Sequence, residues 1–208
     1  MMEEILKYFP DLTPWQKERF AAMKALYDDW NSKINVISRK DMDNFYTHHV
    51  LHSLAVALIG KTRFEKGDTV LDLGTGGGFP GIPLAVMFPE IQFTLCDSIG
   101  KKIKVAENVA AQLELGNVTC VNARAESLGK SFDWVVSRAV TSLDNFLPWI
   151  KNSYRKGVVY LKGGDIEDEI DKAAGKRLLN PKNFTIIEIS DFFSEEWFKE
   201  KKMLIISR

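Results

Sequence analysis

The sequence predicts an α/β protein, a three-layer αβα sandwich built on a seven-stranded, mostly parallel sheet. Three observations support this fold class. The apolar, β-branched run at residues 69–73 is typical of a buried parallel strand, and it passes directly into a glycine-rich loop. Further strand candidates then alternate with helical segments. The last two candidates are joined by an aromatic loop, which favours an antiparallel hairpin, and so an antiparallel C-terminal strand, at the sheet edge.

The composition limits the class of protein. A chain of 208 residues is long enough for one α/β domain with an extension. Lysine plus arginine and aspartate plus glutamate number 28 each, so contact with nucleic acid would need a local basic patch. Cys96 and Cys120 lie in predicted strands and are expected to be reduced thiols. With neither a signal peptide nor a membrane span in the sequence, we expect a cytoplasmic protein.

Two helices are predicted before the first strand. Thr13, Pro14 and Gln16 form a helix start, because threonine can cap the N-terminus, proline suits the first turn and glutamine closes a capping box. A second helix is predicted over residues 41–59, ended by Gly60. The first helix repeats apolar side chains on one face, namely Phe20, Met23, Tyr27 and Trp30.

The strand candidates follow in a regular order. They cover residues 69–73, 92–96, 118–121, 132–137, 157–161, 184–189 and 203–207. Helices are predicted over residues 80–88 and about 99–115. We therefore expect a sheet domain of residues 61–208, with residues 1–60 packed on it as an N-terminal helical cap.

The three histidines of the chain fall in one predicted helix. His48 and His52 are four residues apart and share a helix face, which is a spacing found in metal sites. No third ligand of a suitable type lies nearby in sequence, so we expect no metal. His48, His49 and His52 are better explained as residues that face the cofactor pocket or the substrate.

The glycine-rich loop predicts a nucleotide-containing cofactor, because glycines let a ligand approach bare backbone. Gly76, Gly78 and Gly81 satisfy the dinucleotide pattern G-x-G-x-x-G, and Asp97 follows at the distance that this pattern requires. This pattern would indicate NAD and an oxidoreductase.

A second interpretation of the same loop is favoured. Asp72, at the end of the strand, is followed by Gly74, Gly76 and Gly78, and this arrangement resembles motif I of S-adenosylmethionine-dependent methyltransferases. Asp97 ends the next strand, where ligands bind in open parallel sheets, and its carboxylate could accept both ribose hydroxyls of either cofactor. Alternatively, Asp97 caps the helix that starts near residue 99.

Several cationic residues follow strand ends on the predicted ligand side. Lys101, Lys102, Arg124 and Lys162 could form a rim that contacts RNA phosphates, although a solvated face is an equal alternative for the lysines near residue 101. Arg138 follows the fourth strand and could hold a carboxylate in a bidentate manner. The alternative for Arg138 is a surface ion pair.

The chain resembles the bacterial glucose-inhibited division protein B family, the ribosomal RNA small subunit methyltransferase G family, with a Rossmann-like fold. The resemblance rests on five blocks in order. They are DLGTGGGFPGIPLA (72–85), TLCDSIGKKI (94–103), ARAESL (123–128), FDWVVSRAVTSL (132–143) and YLKGG (160–164). The family often has arginine where His48 stands and aspartate where His52 stands, so neither histidine is given a role.

The resemblance implies a cofactor, a substrate and contacts. The cofactor is S-adenosylmethionine, and its contacts are implied at Gly74, Phe79, Ala125, Glu126 and Arg138. The implied reaction transfers a methyl group to N7 of one guanine in the decoding region of 16S rRNA, within the small ribosomal subunit. We expect a monomer.

The residues themselves are compatible with this reaction. Methyltransferases of exocyclic amines carry an Asn/Asp-Pro-Pro-aromatic motif after strand four, whereas residues 137–140 read SRAV. Neither cysteine lies at a catalytic strand end, which argues against cytosine-C5 chemistry. Guanine N7 carries no proton, so its methylation needs orientation, with Arg138 as the leading candidate, and no general base. A small-molecule methyltransferase, an NAD-dependent oxidoreductase and a non-catalytic nucleotide-binding regulator remain as alternatives.

Overall fold

A sheet of seven strands forms the centre of the protein in the computed structural model, which describes residues 2–129, 131–178, 180 and 182–207. The strands are β1 Thr69–Leu73, β2 Gln92–Asp97, β3 Val118–Asn122, β4 Phe132–Arg138, β5 Tyr154–Gly163, β6 Phe184–Glu188 and β7 Lys201–Ser207. Every predicted strand is present, and β1 has the predicted bounds. β5 is the most extended relative to its prediction, beginning at Tyr154.

The strands are ordered β3-β2-β1-β4-β5-β7-β6. β1 to β5 pair in parallel, whereas β7 is antiparallel to both β5 and β6. The predicted fold class, including its antiparallel C-terminal strand, is therefore confirmed. The order reverses between β1 and β4, and in open parallel sheets ligands bind beyond the carboxyl ends of strands at such a point.

The N-terminal extension contains more helical pieces than the sequence predicted. They are α1 Met2–Tyr8, α2 Pro14–Lys33, α3 Arg39–Met42, a π-helical turn Tyr46–Leu51 and α4 His52–Arg63. The predicted capping box is present, since the Thr13 hydroxyl accepts the N–H of Gln16 at 3.2 Å and the Gln16 side chain accepts the N–H of Thr13 at 2.9 Å.

The prediction that Gly60 ends a helix is wrong. Gly60 lies inside α4, which continues to Arg63. A Cβ atom at Gly60 would lie 2.9 Å from the ring of Phe88 and 3.1 Å from the ring of Phe64. The glycine thus permits close packing of α4 against two aromatic rings and does not act as a C-terminal signal.

The remaining helices cover the two faces of the sheet. They are α5 Gly81–Met87, α6 Gly100–Gln112, α7 Leu143–Ile150 and α8 Glu167–Gly175, of which the last two were not predicted. Alternate residues of β1 pack on opposite sides: Val70 joins the apolar cluster of α2, α4, α5 and α6, and Leu71 joins that of α7 and α8. Phe20 and Tyr27 belong to the first cluster, so the extension shares a core with the sheet.

Two further sequence observations have structural counterparts. Cys96 is buried and Cys120 half-buried; both are free thiols, and burial raises the pKa of each to about 11. Within the described part of the chain, no helix combines the length and the apolar character that crossing a membrane requires.

Candidate active site

A cavity of about 550 Å³ lies at the carboxyl ends of β1, β2, β3 and β4. It is lined by most of the residues predicted to contact a cofactor, namely Gly74, Gly76, Asp97, Ala125, Glu126 and Arg138. Sequence reasoning missed other wall residues, among them Ser98, Ile99, Val140 and Trp149. Ile99 and Val140 are exposed for large apolar residues, at 41% and 37%, which is a signal that only the structure provides.

The glycine loop is shaped by left-handed backbone. Gly74, Gly76 and Gly78 have φ angles of +72°, +57° and +110°, which side chains other than hydrogen rarely allow. A Cβ atom at Gly74 would lie 2.3 Å from Cγ2 of Val140. The loop thus needs glycine both for its conformation and for its contact with the segment that follows β4.

The short helix after the loop offers no free donors to a pyrophosphate within the described structure. The N–H of Gly81 is donated to Asp72 at 2.7 Å, the N–H of Ile82 is donated to Gly78, and Pro83 has no N–H. Binding of a pyrophosphate by a dinucleotide fold depends on free N–H groups at this position. The arrangement therefore disfavours the dinucleotide interpretation.

Asp72 forms hydrogen bonds that fix the glycine loop, and it does not line the cavity. Its Oδ2 atom accepts hydrogen bonds from the Thr75 hydroxyl at 2.5 Å and from the Gly81 N–H at 2.7 Å. Complete burial raises the pKa of the Asp72 carboxyl to about 7, and the two hydrogen bonds oppose that rise. Asp72 thus fixes the position of the loop relative to the start of α5.

Asp97 joins the glycine loop to the start of α6, and it lines the cavity as well. Its Oδ2 accepts the N–H of Gly76 in the glycine loop at 2.9 Å, and its Oδ1 accepts the N–H of Ile99 at 2.8 Å at the entrance to α6. The carboxylate also lines the cavity. Each carboxylate oxygen has two lone pairs, so Asp97 can still accept a ligand hydroxyl.

The far wall is formed by a turn and by α7. Ala125 begins the 3₁₀ turn Ala125–Ser127 and is buried, whereas Glu126 is exposed. Trp149 reaches this wall from α7 and is half-buried. Ala125 and Trp149 thus both line this part of the cavity, one with a small side chain and the other with a large aromatic one.

Arg138 ends β4 and reaches the cavity as a half-buried cation. Its Nη2 lies 3.1 Å from Nδ1 of His49, its Nη1 donates to the carbonyl oxygen of His48 at 3.4 Å, and its guanidinium carbon lies 5.0 Å from the ring centre of Phe79. Burial lowers the pKa of Arg138 to about 10, so it remains charged at neutral pH.

Among the described residues Arg138 forms no ion pair with a carboxylate, and the buried Asp72 carboxyl acts on it beyond ion-pair distance, which partly offsets the lowering of the Arg138 pKa. The surface ion pair that was the alternative for this residue is therefore absent from the described structure. Phe79 is buried and packs its ring 4.8 Å from that of Tyr27, so it supports Arg138 from below and does not line the cavity.

The predicted basic rim is only partly assembled. Lys102 and Arg124 line the cavity, and Lys101 is exposed on the same helix as Lys102. Lys162 is different, because its ammonium group lies 2.8 Å from Glu169 and 2.9 Å from the carbonyl oxygen of Thr141, with 15% of its side chain exposed. The charge of Lys162 is thus neutralised within the protein, away from the cavity.

The two histidines at metal-ligand spacing contact aromatic rings. His48 lies 3.0 Å from a carboxylate oxygen of Asp41 and stacks on Trp197 with ring centres 4.2 Å apart. His52 is buried against Trp197 and Phe198. In the described ranges no three potential ligands gather into a metal site.

Comparison with known proteins identifies the family. The model of the GidB family, described as rRNA small subunit methyltransferase G, matches residues 16–188. The chain belongs to this family. A relative from Flavobacterium psychrophilum, named ribosomal RNA small subunit methyltransferase G, is 52% identical and covers 98% of this chain and 96% of its own length. One of the same name from Bacteroides fragilis is 49% identical, over 99% of this chain and 100% of the relative.

Solved structures share the fold of this GidB family member. Magnesium protoporphyrin IX methyltransferase from Synechocystis, solved with bound SAM, has a TM-score of 0.61 at 17% identity and covers 95% of this chain and 99% of that chain. A SAM-dependent methyltransferase from Aquifex aeolicus has a TM-score of 0.57 at 14% identity, over 82% of this chain and 98% of that one. These structures confirm the fold, and membership of the family confirms the predicted methyltransferase and its cofactor, S-adenosylmethionine.

Proposed function

We propose that this methyltransferase acts on N7 of one guanine in the decoding region of 16S rRNA, within the small ribosomal subunit, as a cytoplasmic monomer. One observation supports the cofactor site above all others: a half-buried arginine, Arg138, lines the cavity and forms no ion pair with a carboxylate among the described residues. A charge that is partly removed from water is stabilised by a close opposite charge, and a carboxylate ligand would supply one.

The cavity residues fit S-adenosylmethionine. Asp97 would accept the ribose hydroxyls, and Ala125 with Glu126 would contact the adenine. Arg138 would bind the carboxylate of the methionine moiety. Gly74 and Gly76 would lie against that moiety, whereas Gly78 is buried against Ile82 and does not line the cavity. Asp72 would hold the loop in place, and Phe79 would support the arginine.

The bound cofactor supplies a methyl group on a positively charged sulfur. Guanine N7 presents a lone pair without a proton, so the protein has no proton to remove. The contribution of the chain is orientation, because Arg138, Asp97 and the glycine loop fix one end of the reacting pair. Alternatively, Arg138 could donate hydrogen bonds to O6 of the target guanine, since a guanidinium can bind either this oxygen or the carboxylate of the cofactor.

The RNA would be contacted at the rim of the cavity. Lys101, Lys102 and Arg124 lie on this side and can meet phosphates. Lys162 is no longer part of this proposal, because Glu169 neutralises it. The balance of 28 basic and 28 acidic residues favours a preassembled ribonucleoprotein over naked RNA as substrate. The N-terminal extension would act as a helical cap on the methyltransferase domain; the predicted boundary between residues 1–60 and 61–208 falls inside α4, which ends at Arg63.

The test uses small ribosomal subunits from cells that lack this protein. They are incubated with it and with methyl-labelled S-adenosylmethionine, and the RNA is then cleaved chemically at 7-methylguanosine. We expect one labelled guanine in the decoding region. Label on free 16S rRNA but not on subunits would contradict the assembled substrate. Cofactor binding without label on either RNA would contradict the rRNA assignment and favour a small-molecule methyltransferase.

A further inference from the structure

The residues that hold Arg138 do not come from the sheet. The arginine extends from β4, whereas both of its hydrogen-bond acceptors lie in the π-helical turn Tyr46–Leu51 of the N-terminal extension. The carbonyl oxygen of His48 is the more distant, at 3.4 Å, and Nδ1 of His49 lies 3.1 Å from Nη2. The hydrogen bond to the His49 imidazole is thus the shorter of the two described hydrogen bonds that fix the guanidinium.

The direction of this hydrogen bond follows from the chemistry of arginine. A guanidinium has only donors, so Nδ1 of His49 must accept, and the ring proton of the neutral imidazole must lie on Nε2. Burial and the adjacent Arg138 cation lower the pKa of His49 to about 3, which keeps the ring neutral. The ring is packed between Phe79 and Phe45, with centres 5.2 Å and 6.2 Å away.

The imidazole is costly at this position. Its Nε2 is buried and has no hydrogen-bond partner among the described residues. An unpaired buried N–H destabilises a protein by about 1–3 kcal/mol, and an apolar side chain would avoid that cost. Buried polar groups without a hydrogen-bond partner occur mainly at functional sites.

A neutral acceptor has one advantage over a carboxylate at this point. Lys162 and Arg155 elsewhere in the chain pair with Glu169 and Asp133, and these carboxylates cancel their charge. An imidazole nitrogen fixes the direction of the guanidinium without placing a negative charge in contact with it. The ion-pair position next to the guanidinium is then available to an anionic ligand in the cavity.

We propose that His49 is a positioning residue for Arg138, which aims the guanidinium into the cavity and preserves its charge for the carboxylate of the cofactor. This inference rests on the proposed role of Arg138 in the function above. It assigns to the N-terminal extension a part in cofactor binding.

The test compares two ligands that differ in the carboxylate. S-adenosylhomocysteine carries it, and 5′-methylthioadenosine lacks the whole amino-acid group. Their dissociation constants are measured by calorimetry on the full chain. We expect His49→Leu to weaken binding of S-adenosylhomocysteine by about tenfold or more, or about 1.4 kcal/mol. Binding of 5′-methylthioadenosine should stay within about twofold, because the thioadenosine does not reach Arg138.

Two amide variants separate positioning from packing. In His49→Asn the amide oxygen falls near the place of Nδ1, whereas in His49→Gln the amide extends to the place of Nε2. Asparagine should restore most of the affinity for S-adenosylhomocysteine and glutamine should not. In an Arg138→Ala background, His49→Leu should cause no further loss, because coupled residues are not additive.

Several results would overturn the inference. An equal loss for both ligands in His49→Leu and His49→Gln would indicate a packing role alone. A full additional loss in the Arg138→Ala background would indicate that His49 acts independently. If Arg138→Ala weakens S-adenosylhomocysteine and His49→Leu does not, only the role of His49 fails. If Arg138→Ala has no effect either, the carboxylate role proposed for Arg138 fails with it, while the methylation assay on subunits still tests the reaction.

Discussion

The hydroxyl of Tyr27 donates a hydrogen bond to the carbonyl oxygen of Gly77 at 2.7 Å. Tyr27 lies in α2 and is completely buried, and its ring centre is 5.3 Å from that of Phe45. A helix of the N-terminal extension therefore holds the glycine loop directly. The extension and the cofactor loop are parts of one packed unit, and a change in the extension should be measurable as a change in cofactor affinity.

Tyr27→Phe tests this relationship. The variant should lose about 1 kcal/mol of unfolding free energy and bind S-adenosylhomocysteine several-fold more weakly, because the loop loses one fixed point. Tyr46→Phe is a matched control, since the Tyr46 hydroxyl donates to the carbonyl oxygen of Phe20 at 3.1 Å, away from the loop. It should show a similar loss of stability with unchanged affinity. Equal affinities in both variants would contradict the prediction.

Arg138→Ala should abolish methyl transfer and leave the fold intact. We expect activity on small subunits to fall by at least about thirtyfold, because loss of a buried charged partner costs about 2 kcal/mol or more. The melting temperature of the free protein should not fall, since a half-buried cation without an ion-pair partner is itself unfavourable. Arg155→Ala is the control, with a half-exposed arginine at β5. Normal turnover by a folded Arg138→Ala protein would remove this residue from the mechanism.

Asp97→Ala should weaken cofactor binding more than RNA binding. We expect the dissociation constant of S-adenosylhomocysteine to rise by about tenfold or more, because hydrogen bonds to a charged acceptor contribute about 1.5–3 kcal/mol each. Retention of the protein on small subunits should change little. Asp133→Ala, which removes a carboxylate at the start of β4, should affect neither. Equal losses of both affinities would instead point to misfolding or to a different cofactor position.

Gly81→Ala should destabilise the loop. A Cβ atom there would lie 2.6 Å from Oδ2 of Asp72 and 2.8 Å from Cδ1 of Leu95. Overpacking of this kind costs about 1–3 kcal/mol, and displacement of Asp72 should also weaken cofactor binding. In the control Gly116→Ala, the added Cβ meets nothing within 4 Å. Chemical denaturation of both variants measures the difference, and equal midpoints would contradict it.

Stability should depend on pH through His52. Burial lowers the pKa of His52 well below its ordinary value of 6.5, so the folded chain keeps this ring neutral. Below about pH 6.5 the unfolded chain binds a proton that the folded chain does not, and stability is lost as the pH falls. His49 should also reduce stability as the pH falls, because its pKa is lowered as well. Asp72 has the opposite effect. Its pKa is raised from 3.8 to about 7, so its contribution to stability is lost as the pH rises through this range.

His52→Leu isolates the histidine contribution. The loss of unfolding free energy between about pH 7.5 and about pH 5 should be smaller in this variant than in the parent by about 2 kcal/mol, at about 1.4 kcal/mol per pH unit. Val56→Ala, a buried change on the same helix, should lower the free energy equally at both values. An unaltered pH dependence in His52→Leu would show that His52 is protonated in the folded chain.

Much of the architecture could be predicted from local pattern. The strand at residues 69–73 and the capping box at Thr13 depend only on neighbouring residues, and both are present as predicted. The residues around the cavity could be named because carboxyl ends of parallel strands meet at one edge. The sequence also contains a signal for α7, since its buried residues recur at helical spacing, as Leu143, Phe146, Leu147 and Ile150.

Other features depend on contacts between distant parts of the chain. The hydrogen bond from Arg138 to His49 joins residues 89 positions apart, and no local pattern indicates it. The pairing of Lys162 with Glu169 depends on how α8 packs beside β5, and α8 was not predicted. Gly60 shows the same limit, because a glycine that ends a helix and one that allows close packing look identical in sequence.

The position of β7 has a consequence for motion. Within the described sheet, β6 is hydrogen-bonded to β7 alone, and β7 connects it to β5. Any local opening that releases β7 must release β6 as well, so the amide protons of both strands should exchange with deuterium as one cooperative unit. β1, β2 and β4 lie beyond β5 and keep their own pairing during such an opening. The strand pairing of β1, β2 and β4, whose carboxyl ends form the cavity, can therefore persist while the C-terminal edge fluctuates.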